Sequence, residues 1–357
     1  MNCIRFNQEK NYVKDFLDLP KKLYTKKDNM EDYDSTKKLL LNLHPLSNYF
    51  NLNKFIIYKN KEAVGRFIIT EYPDDKETCY IGFFECVKDN KVAKLIFSEA
   101  EKFAKEKKYK KIVGPVDASF WIKYRLKINQ FDKRPYTGEP YNLKYYFNMF
   151  KDNKYKVCDH YVSNYFAKVN YKYSNEKYNK HFEEFTKLGY EIVKPKVKDF
   201  DKCIEEIYKM IMKLYSDFPT FKKIDKKDFI ELFSSYKKII NMSMVRMAYF
   251  KGKAVGFFIS IPNYYNRVYQ VSWKEPLHIL HILFERAFPR GYVMLYMGAM
   301  PDHQGLGKAI VHEINEELKR QKKPGIGALM RDGKITQTYS QDIVNLQYEY
   351  VLLEKKI

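Results

Sequence analysis

Two stretches of the chain read almost alike. "YKNKEAVGRFI" (58–68) and "YFKGKAVGFFI" (249–259) share a tyrosine, a polar turn, Ala-Val-Gly, one variable residue and Phe-Ile, and lie 191 residues apart, Ala63 against Ala254. Each reads as a β-hairpin, with a tight turn at "KNKE" or "KGK" and a second strand entered through Gly65 or Gly256. A duplicated supersecondary unit fixes architecture before any single motif does.

The repetition continues past each hairpin. After the first comes "CYIGFFECV" (79–87), an apolar strand pattern, then a helix over 89–109 with Val92, Leu95, Ile96, Ala100 and Phe103 on one face. After the second comes "YVMLYMGAM" (292–300), then "QGLGKAIVHEINEELKRQ", with Ile310, Ile314 and Leu318 as its apolar stripe and Lys319 and Arg320 at the favoured end of the helix dipole. "KKIVGPV" (110–116) and "GIGALM" (325–330) are the next strands. Both halves thus read strand, strand, strand, helix, strand. Helices precede each hairpin, at 12–24 and at 201–218, the second with Ile204, Ile207, Ile211 and Leu214 in register. About 25 extra residues, around 262–291, separate hairpin from strand in the second copy. The expected division is a first domain over 1–168, a linker helix over 169–189 and a second domain over 190–357, with 190–203 as its opening strand.

The 357 residues suffice for two domains, and 45% hydrophobic content gives each a core. The formal net charge of +21 favours anionic partners: nucleotide cofactors, nucleic acid or anionic lipid. The charge is spread along the chain, so no basic arm marks nucleic acid, which is not expected as a partner. No apolar run reaches membrane-spanning length, and the start "MNCIRFNQEK" lacks the pattern of a signal peptide. Five scattered cysteines, never in CxxC spacing, fit a reducing cytoplasm and neither a structural zinc site nor a disulfide framework.

The informative turn is "MGAMPDHQGLGKAIV", 297–311. Gly305 and Gly307 let backbone approach a ligand without a Cβ, and small Ala309 lets the helix sit close. Backbone N–H groups opening a helix supply converging donors, and the dipole favours negative charge. Gln304 is placed to hydrogen-bond within the turn and hold it open. The spacing is neither a Walker loop nor GxGxxG; a diphosphate is the ligand this turn suits.

Gln304-x-x-Gly307-x-Ala309 resembles motif A of the GNAT superfamily, the GCN5-related N-acetyltransferases, whose signature is Gln/Arg-x-x-Gly-x-Gly/Ala. The chain as a whole looks like tandem GNAT proteins of bacteria, with "GFFEC" (82–86), "GPVDASFW" (114–121) and "EPYN" (139–142) in the first unit. The resemblance implies an α/β (α+β) fold of two tandem units, each a mixed, mostly antiparallel twisted sheet flanked by helices. It implies an acyl-CoA, acetyl-CoA above all, as cofactor and an amine of a small molecule or peptide as acceptor. Backbone groups of Met297, Gly298 and Ala299 would meet the pantetheine arm. The N–H groups of Gly305, Leu306, Gly307, Lys308 and Ala309 would bind the pyrophosphate. "DGKITQTY" (332–339) loosely resembles the family's Asn-x-x-Ala-x-x-Phe-Tyr, putting Asp332 at the asparagine and Tyr339 at the catalytic tyrosine, a candidate acid for the leaving thiolate.

The first unit departs from this pattern. Its turn "CVKDNKVAK" (86–94) reads with Asp89 at the place of Gly305 and Lys91 at that of Gly307, and Phe150 replaces the tyrosine. Coenzyme binding is therefore expected in the second unit alone. Other features carry blander expectations: helix packing for His278 and His281, a phosphate or solvent contact for His303, packing between units for 114–125, and a solvated face for 222–229. Three functions stay open. The first is an acyl-CoA-dependent N-acyltransferase active in the C-terminal domain. The others are a non-catalytic acyl-CoA-binding module and a tRNA-dependent aminoacyl transferase. Acceptor, acyl length, oligomeric state and general base are not legible; 215–240 and 262–290 are the segments expected to shape the acceptor pocket.

Overall fold

The computed structural model describes residues 1–270 and 275–357; the four residues 271–274 of the second-copy insertion lie outside the described residues. Two compact units emerge, Met1–Tyr161 with Thr220–Ile224 and Glu349–Ile357, and Val162–Pro219 with Asp225–Tyr348.

The first unit runs β1 (Asn2–Phe6), α1 (Lys10–Leu23), α2 (Tyr33–Leu40), β2 (Asn51–Lys59), β3 (Glu62–Glu71), β4 (Thr78–Cys86), α3 (Asn90–Glu106) and β5 (Lys111–Gly114). Short strands β6 (Val116–Asp117), β7 (Lys123–Tyr124) and β8 (Leu126–Lys127), α4 (Tyr146–Asp152) and β9 (Lys156–Phe166) come next, and the chain passes to the second unit within β9. The second unit runs α5 (Glu176–Lys187), β10 (Tyr190–Val193), α6 (Phe200–Leu214), α7 (Lys226–Ser234), α8 (Tyr236–Ile239), β11 (Arg246–Phe250), β12 (Lys253–Pro262), α9 (Arg267–Gln270), α10 (Pro276–Ala287), β13 (Tyr292–Ala299), α11 (Leu306–Gln321) and β14 (Gly325–Arg331), before β15 (Leu346–Lys356). The strand order is β1-β2-β3-β4-β5-β15 in the first unit and β14-β13-β12-β11-β10 in the second.

The hairpin repeat is physical. Asn60 and Lys61 turn the first at φ 51° and 69°, and Lys251 and Gly252 turn the second at 49° and 73°; paired positive φ values match the right-handed twist of the flanking strands. In each copy the ladder skips the valine of Ala-Val-Gly: Tyr58 faces Ala63 and Ile57 faces Gly65, as Tyr249 faces Ala254 and Ala248 faces Gly256. Both bulges thus sit at one place in the unit. Both glycines admit a helix. A Cβ on Gly65 would stand 2.9 Å from Ile96 Cδ1 and 3.2 Å from Val92, and one on Gly256 would stand 3.0 Å from Ile310 Cδ1 and 3.1 Å from Leu306.

The apolar stripes read from sequence are buried at Val92, Ile96, Ala100 and Phe103 on α3, with Leu95 half-buried, and at Ile310, Ile314 and Leu318 on α11. Mixed, mostly antiparallel sheets flanked by helices make up both units. The observed division departs from the expected one in three places. Helix α5 is no free linker, because Tyr178 and Phe185 are buried within the second unit. Glu349–Ile357 closes the first unit's sheet, pairing Leu353 with Gly114 and Lys355 with Ile112. Residues 220–224 also belong to the first unit. A strand pairs wherever a register of free N–H and C=O groups is offered, whatever its distance along the chain. The opening strand of the second unit is shorter than 190–203, ending at Val193.

Candidate functional site

Strand β13 pairs in parallel with β14 only from Tyr292 to Met294, opposite Gly325 to Gly327, and the ladder stops there although both strands continue. On its other side the register shifts between Ile259, which faces Tyr296, and Ser260, which faces Met294. Leu295 is therefore bulged out, and a bulge bends its strand. The sheet opens along 295–299, and successive side chains leave it on opposite faces. Tyr296 meets Tyr215 and Phe233, ring centroids 6.2 and 6.3 Å away. Met297 points the other way, its Cε 3.3 Å from the place of a Cβ on Gly307. The Tyr215 hydroxyl donates to Met297 O at 3.3 Å, and Leu214 Cδ1 would stand 2.5 Å from a Cβ on Gly298.

Beyond the opening, Gly305 starts α11 at φ 94°, and no side chain caps the helix. The Leu306 N–H donates to His303 O (3.2 Å) and the Lys308 N–H to Gly305 O (2.9 Å). Among the described residues, the N–H groups of Gly305 and Gly307 have no such bond. Of the five amides expected to face a pyrophosphate, Leu306 and Lys308 are thus already committed, since the first turn winds tightly enough to close on itself. Gln304 does not hold the turn open: it is exposed and makes no hydrogen bond among the described residues.

Basic side chains surround this N-terminus. Lys308 Nζ lies 3.1 Å from His181 Nε2, and His303 Nδ1 lies 2.7 Å from the Tyr190 hydroxyl. Phe185 and His181 of α5 lie over Gly305, within 3.3 and 3.6 Å of where its Cβ would be. Ala309 is buried under the helix, as the small side chain promised. Tyr339 comes after a short 3-10 turn, Ile335–Thr338. Its hydroxyl rests on Gly307, and burial, with Tyr178 beside it, pushes its pKa up to about 12. Asp332 is exposed and, among the described residues, accepts only the Gly333 N–H, at 3.2 Å. The turn, the opened strand and Tyr339 are thus brought together; Asp332 stays apart in the contacts it makes.

No known family's sequence model matches the chain, and no curated protein does. Solved structures do. One is a tandem GNAT protein from the clavulanic acid biosynthesis pathway, 8% identical, with a TM-score of 0.53 over 99% of this chain and 98% of that one. A second is a conserved protein from Enterococcus faecalis described as a probable N-acyltransferase, 9% identical, with a TM-score of 0.53 over 100% of this chain and 72% of that one. A third is the glucosamine N-acetyltransferase region of a fungal multi-domain β-N-acetylglucosaminidase, 13% identical, with a TM-score of 0.50 over 99% of this chain and 38% of that one. The chain has a tandem GNAT fold.

The two GNAT units differ where a ligand would lie. Measured from the glycines they pack on, Val92 and Ile96 take the places of Leu306 and Ile310. This moves the expected correspondence by two residues: Lys91 stands at Gly305 and Ala93 at Gly307, with Asp89 at His303. The start of the helix misled the sequence reading, because α3 begins earlier in the packing frame than α11. Asp89 still stands against an anion at this turn. The Asp89 carboxylate caps α3 by accepting the Lys91 N–H (2.9 Å) and pairs with Lys59 (3.1 Å), so the anion at that N-terminus is the protein's own. The opening between β4 and β5 begins after Tyr80 and Val113, and β6 fills it. A Cβ on Gly82 would be 1.8 Å from Val116 O, and the Asp117 carboxylate accepts the Phe83 N–H.

The quoted first-unit motifs form buried polar clusters. Glu85 of "GFFEC" accepts from the Tyr24 (2.9 Å) and Tyr146 (2.6 Å) hydroxyls, and burial pushes its pKa up to about 7 against the pull of Arg66. Arg66 itself pairs with Glu31 at 2.6 Å. Glu139 of "EPYN" meets Lys127 at 2.7 Å, both fully buried. In 114–125 the Trp121 indole N–H donates to Lys222 O (2.8 Å), a contact within the first unit, where packing between units was expected. In 222–229 the polar residues Lys223, Asp225, Lys226 and Lys227 are exposed, as a solvated face requires, while Ile224 and Phe229 turn inward. His278 and His281 are exposed, and face Glu275 (3.0 Å) and Glu285 (3.6 Å) instead of packing. Among the described residues no group of three or more His, Cys, Asp or Glu could hold a metal ion, and no helix is long and apolar enough to cross a membrane.

Sequence reasoning missed His181 and Tyr190, and reached Tyr215 only as the first residue of 215–240. His181 sits on the segment read as a linker, and none of the three carries a motif; the packing of α5, β10 and the end of α6 brings them to the turn and the opened strand.

Proposed function

We propose that the second unit is an acyl-CoA-dependent N-acyltransferase whose coenzyme sits at the Gly305–Gly307 turn. The observation that carries this reading is the contrast in capping: α11 opens on a left-handed glycine with no side-chain cap, whereas α3 is capped by Asp89. The residues present fit a diphosphate. The Gly305 and Gly307 amides are uncommitted among the described residues, and Lys308 supplies positive charge with the His181 and His303 rings beside the turn. Charge-assisted hydrogen bonds of roughly 1.5–3 kcal/mol each would outweigh the dipole's contribution of about 1 kcal/mol.

The coenzyme would supply a thioester carbonyl and a thiol leaving group. The chain's own part is to position and to stabilise. Main-chain groups of Met297, Gly298 and Ala299 would align the pantetheine arm along β13. A bulged strand turns N–H groups toward the opening, where an oxyanion would need a donor. Holding both reactants in one cleft removes much of the entropic barrier. Tyr339 is suited to donating a hydrogen bond rather than a proton: its pKa of about 12 lies above that of a thiol, about 8.5, so full transfer would run uphill. The same fact favours, as a second reading, a coenzyme-binding module without catalysis.

Acetyl-CoA is expected to raise the melting temperature of the full chain. Gly305→Asp, which puts a carboxylate at the uncapped turn, should abolish the rise, and Asp89→Ala should not. No rise with either CoA or acetyl-CoA would remove the coenzyme reading. A rise without thiol release against a panel of amines would leave only the binding module.

A further inference from the structure

The face of the second unit's sheet turned away from α11 carries an apolar cavity of about 50 Å³ under α6, α7 and α8. Ile204, Ile207, Ile211, Phe229, Ile259 and Tyr296 are among its walls, and no polar surface lines it. Its volume is room for roughly four water-sized groups, and walls of carbon alone favour hydrocarbon over water. A charged or hydrogen-bonding group inside would be left without partners.

One juxtaposition connects the cavity to the coenzyme turn. Tyr296 lines the cavity, and the next residue, Met297, reaches Gly307 on the opposite face. Both lie in the stretch of β13 that has left its ladder with β14. A chain attached to a thioester at Met297 would therefore pass from one face to the other through the opening on the β14 side, beside the Tyr215 hydroxyl that donates to Met297 O; on the β12 side the ladder continues. Resting on the coenzyme reading above, we propose that this cavity takes the hydrocarbon chain of the donor acyl group, so that the preferred thioester carries about four carbons instead of the two of acetyl. An amine acceptor is the weaker occupant. Its reacting nitrogen is polar, and nothing but carbon and the edges of Tyr296, Tyr236 and Cys203 would meet it there.

Calorimetric titration of the full chain with CoA, acetyl-CoA, butyryl-CoA, hexanoyl-CoA and decanoyl-CoA tests this. Affinity should rise about fourfold per added methylene up to roughly butyryl or hexanoyl, then level off as the cavity fills. Ile207→Phe and Cys203→Leu each fill the cavity. They should flatten the series while leaving CoA and acetyl-CoA within about twofold of wild type, with cooperative melting showing that each variant is folded. CoA bound with a flat series in the wild type would overturn the cavity's assignment and leave the coenzyme reading intact. A series that climbs equally in both variants would overturn it as well. So would an aliphatic amine that raises the melting temperature of the wild type and not of Ile207→Phe, which would make the cavity the acceptor's. Failure to bind CoA itself would end both readings.

Discussion

The hydroxyl of Tyr339 lies where a side chain on Gly307 would begin, 2.5 Å from the position of its Cβ. Gly307 is thus required by the protein's own packing as well as by any ligand. Gly307→Ala should cost about 1–3 kcal/mol by overpacking. Tyr339→Phe in the same chain should recover part of that cost, because the hydroxyl is the atom in the way. A urea-unfolding double-mutant cycle measures the coupling; strict additivity would mean that the two residues do not touch.

Gly305 is held for a different reason. Its φ of 94° is a conformation that other residues adopt at a cost, so Gly305→Ala should destabilise by about 1–2 kcal/mol, with Asn tolerated better. At the equivalent helix of the first unit, Asp89→Ala should lower the melting temperature through loss of its cap. Thermal melts of the three variants compare them directly. Equal stability of Gly305→Ala and wild type would contradict the left-handed start.

Glu85 makes stability pH-dependent. Its carboxyl ionises near 4.5 when free and near 7 in the fold, where burial disfavours the charge. Between those values the folded chain holds a proton that the unfolded chain has lost, so stability falls as pH rises and the full penalty is reached above about pH 7. Below about pH 4.5 both states are protonated and the penalty vanishes. Glu85→Gln should therefore gain on wild type by about 3 kcal/mol between pH 4.5 and pH 8. Any hydrogen-bond loss adds an offset that does not vary with pH. Denaturant midpoints at the two pH values decide it, and a constant difference would refute it.

Lys127 and Glu139 sit 2.7 Å apart, both fully buried, and the Tyr350 hydroxyl also donates to Glu139 at 2.7 Å. Lys127→Met alone strands a buried carboxylate and should cost about 3–5 kcal/mol, whereas Lys127→Met with Glu139→Leu should restore much of it. The expected order of melting temperatures is wild type, double variant, single variant. A single variant as stable as the double would show that Glu139 is not held charged.

Much of the architecture lies in local patterns. Ala-Val-Gly recurs because each copy needs a bulge and a glycine that a helix can approach, and both needs act within a dozen residues of the hairpin. The stripes on α3 and α11 come from the helical period alone. The turn at 304–309 is legible because glycine at 305 permits a left-handed start and glycine at 307 a close approach, both disfavoured for residues with a Cβ. Tertiary structure decided the rest, since it depends on which surfaces meet. Nothing near Glu349 says that its strand closes the first unit's sheet, nor does anything near His181 say that it will stand beside Lys308. The fit of α3 and α11 against Gly65 and Gly256 set the true correspondence between the units, which the starts of the helices had hidden by two residues. Spacing along the chain is a local property, but a site is made by packing, and packing is settled by every neighbour at once.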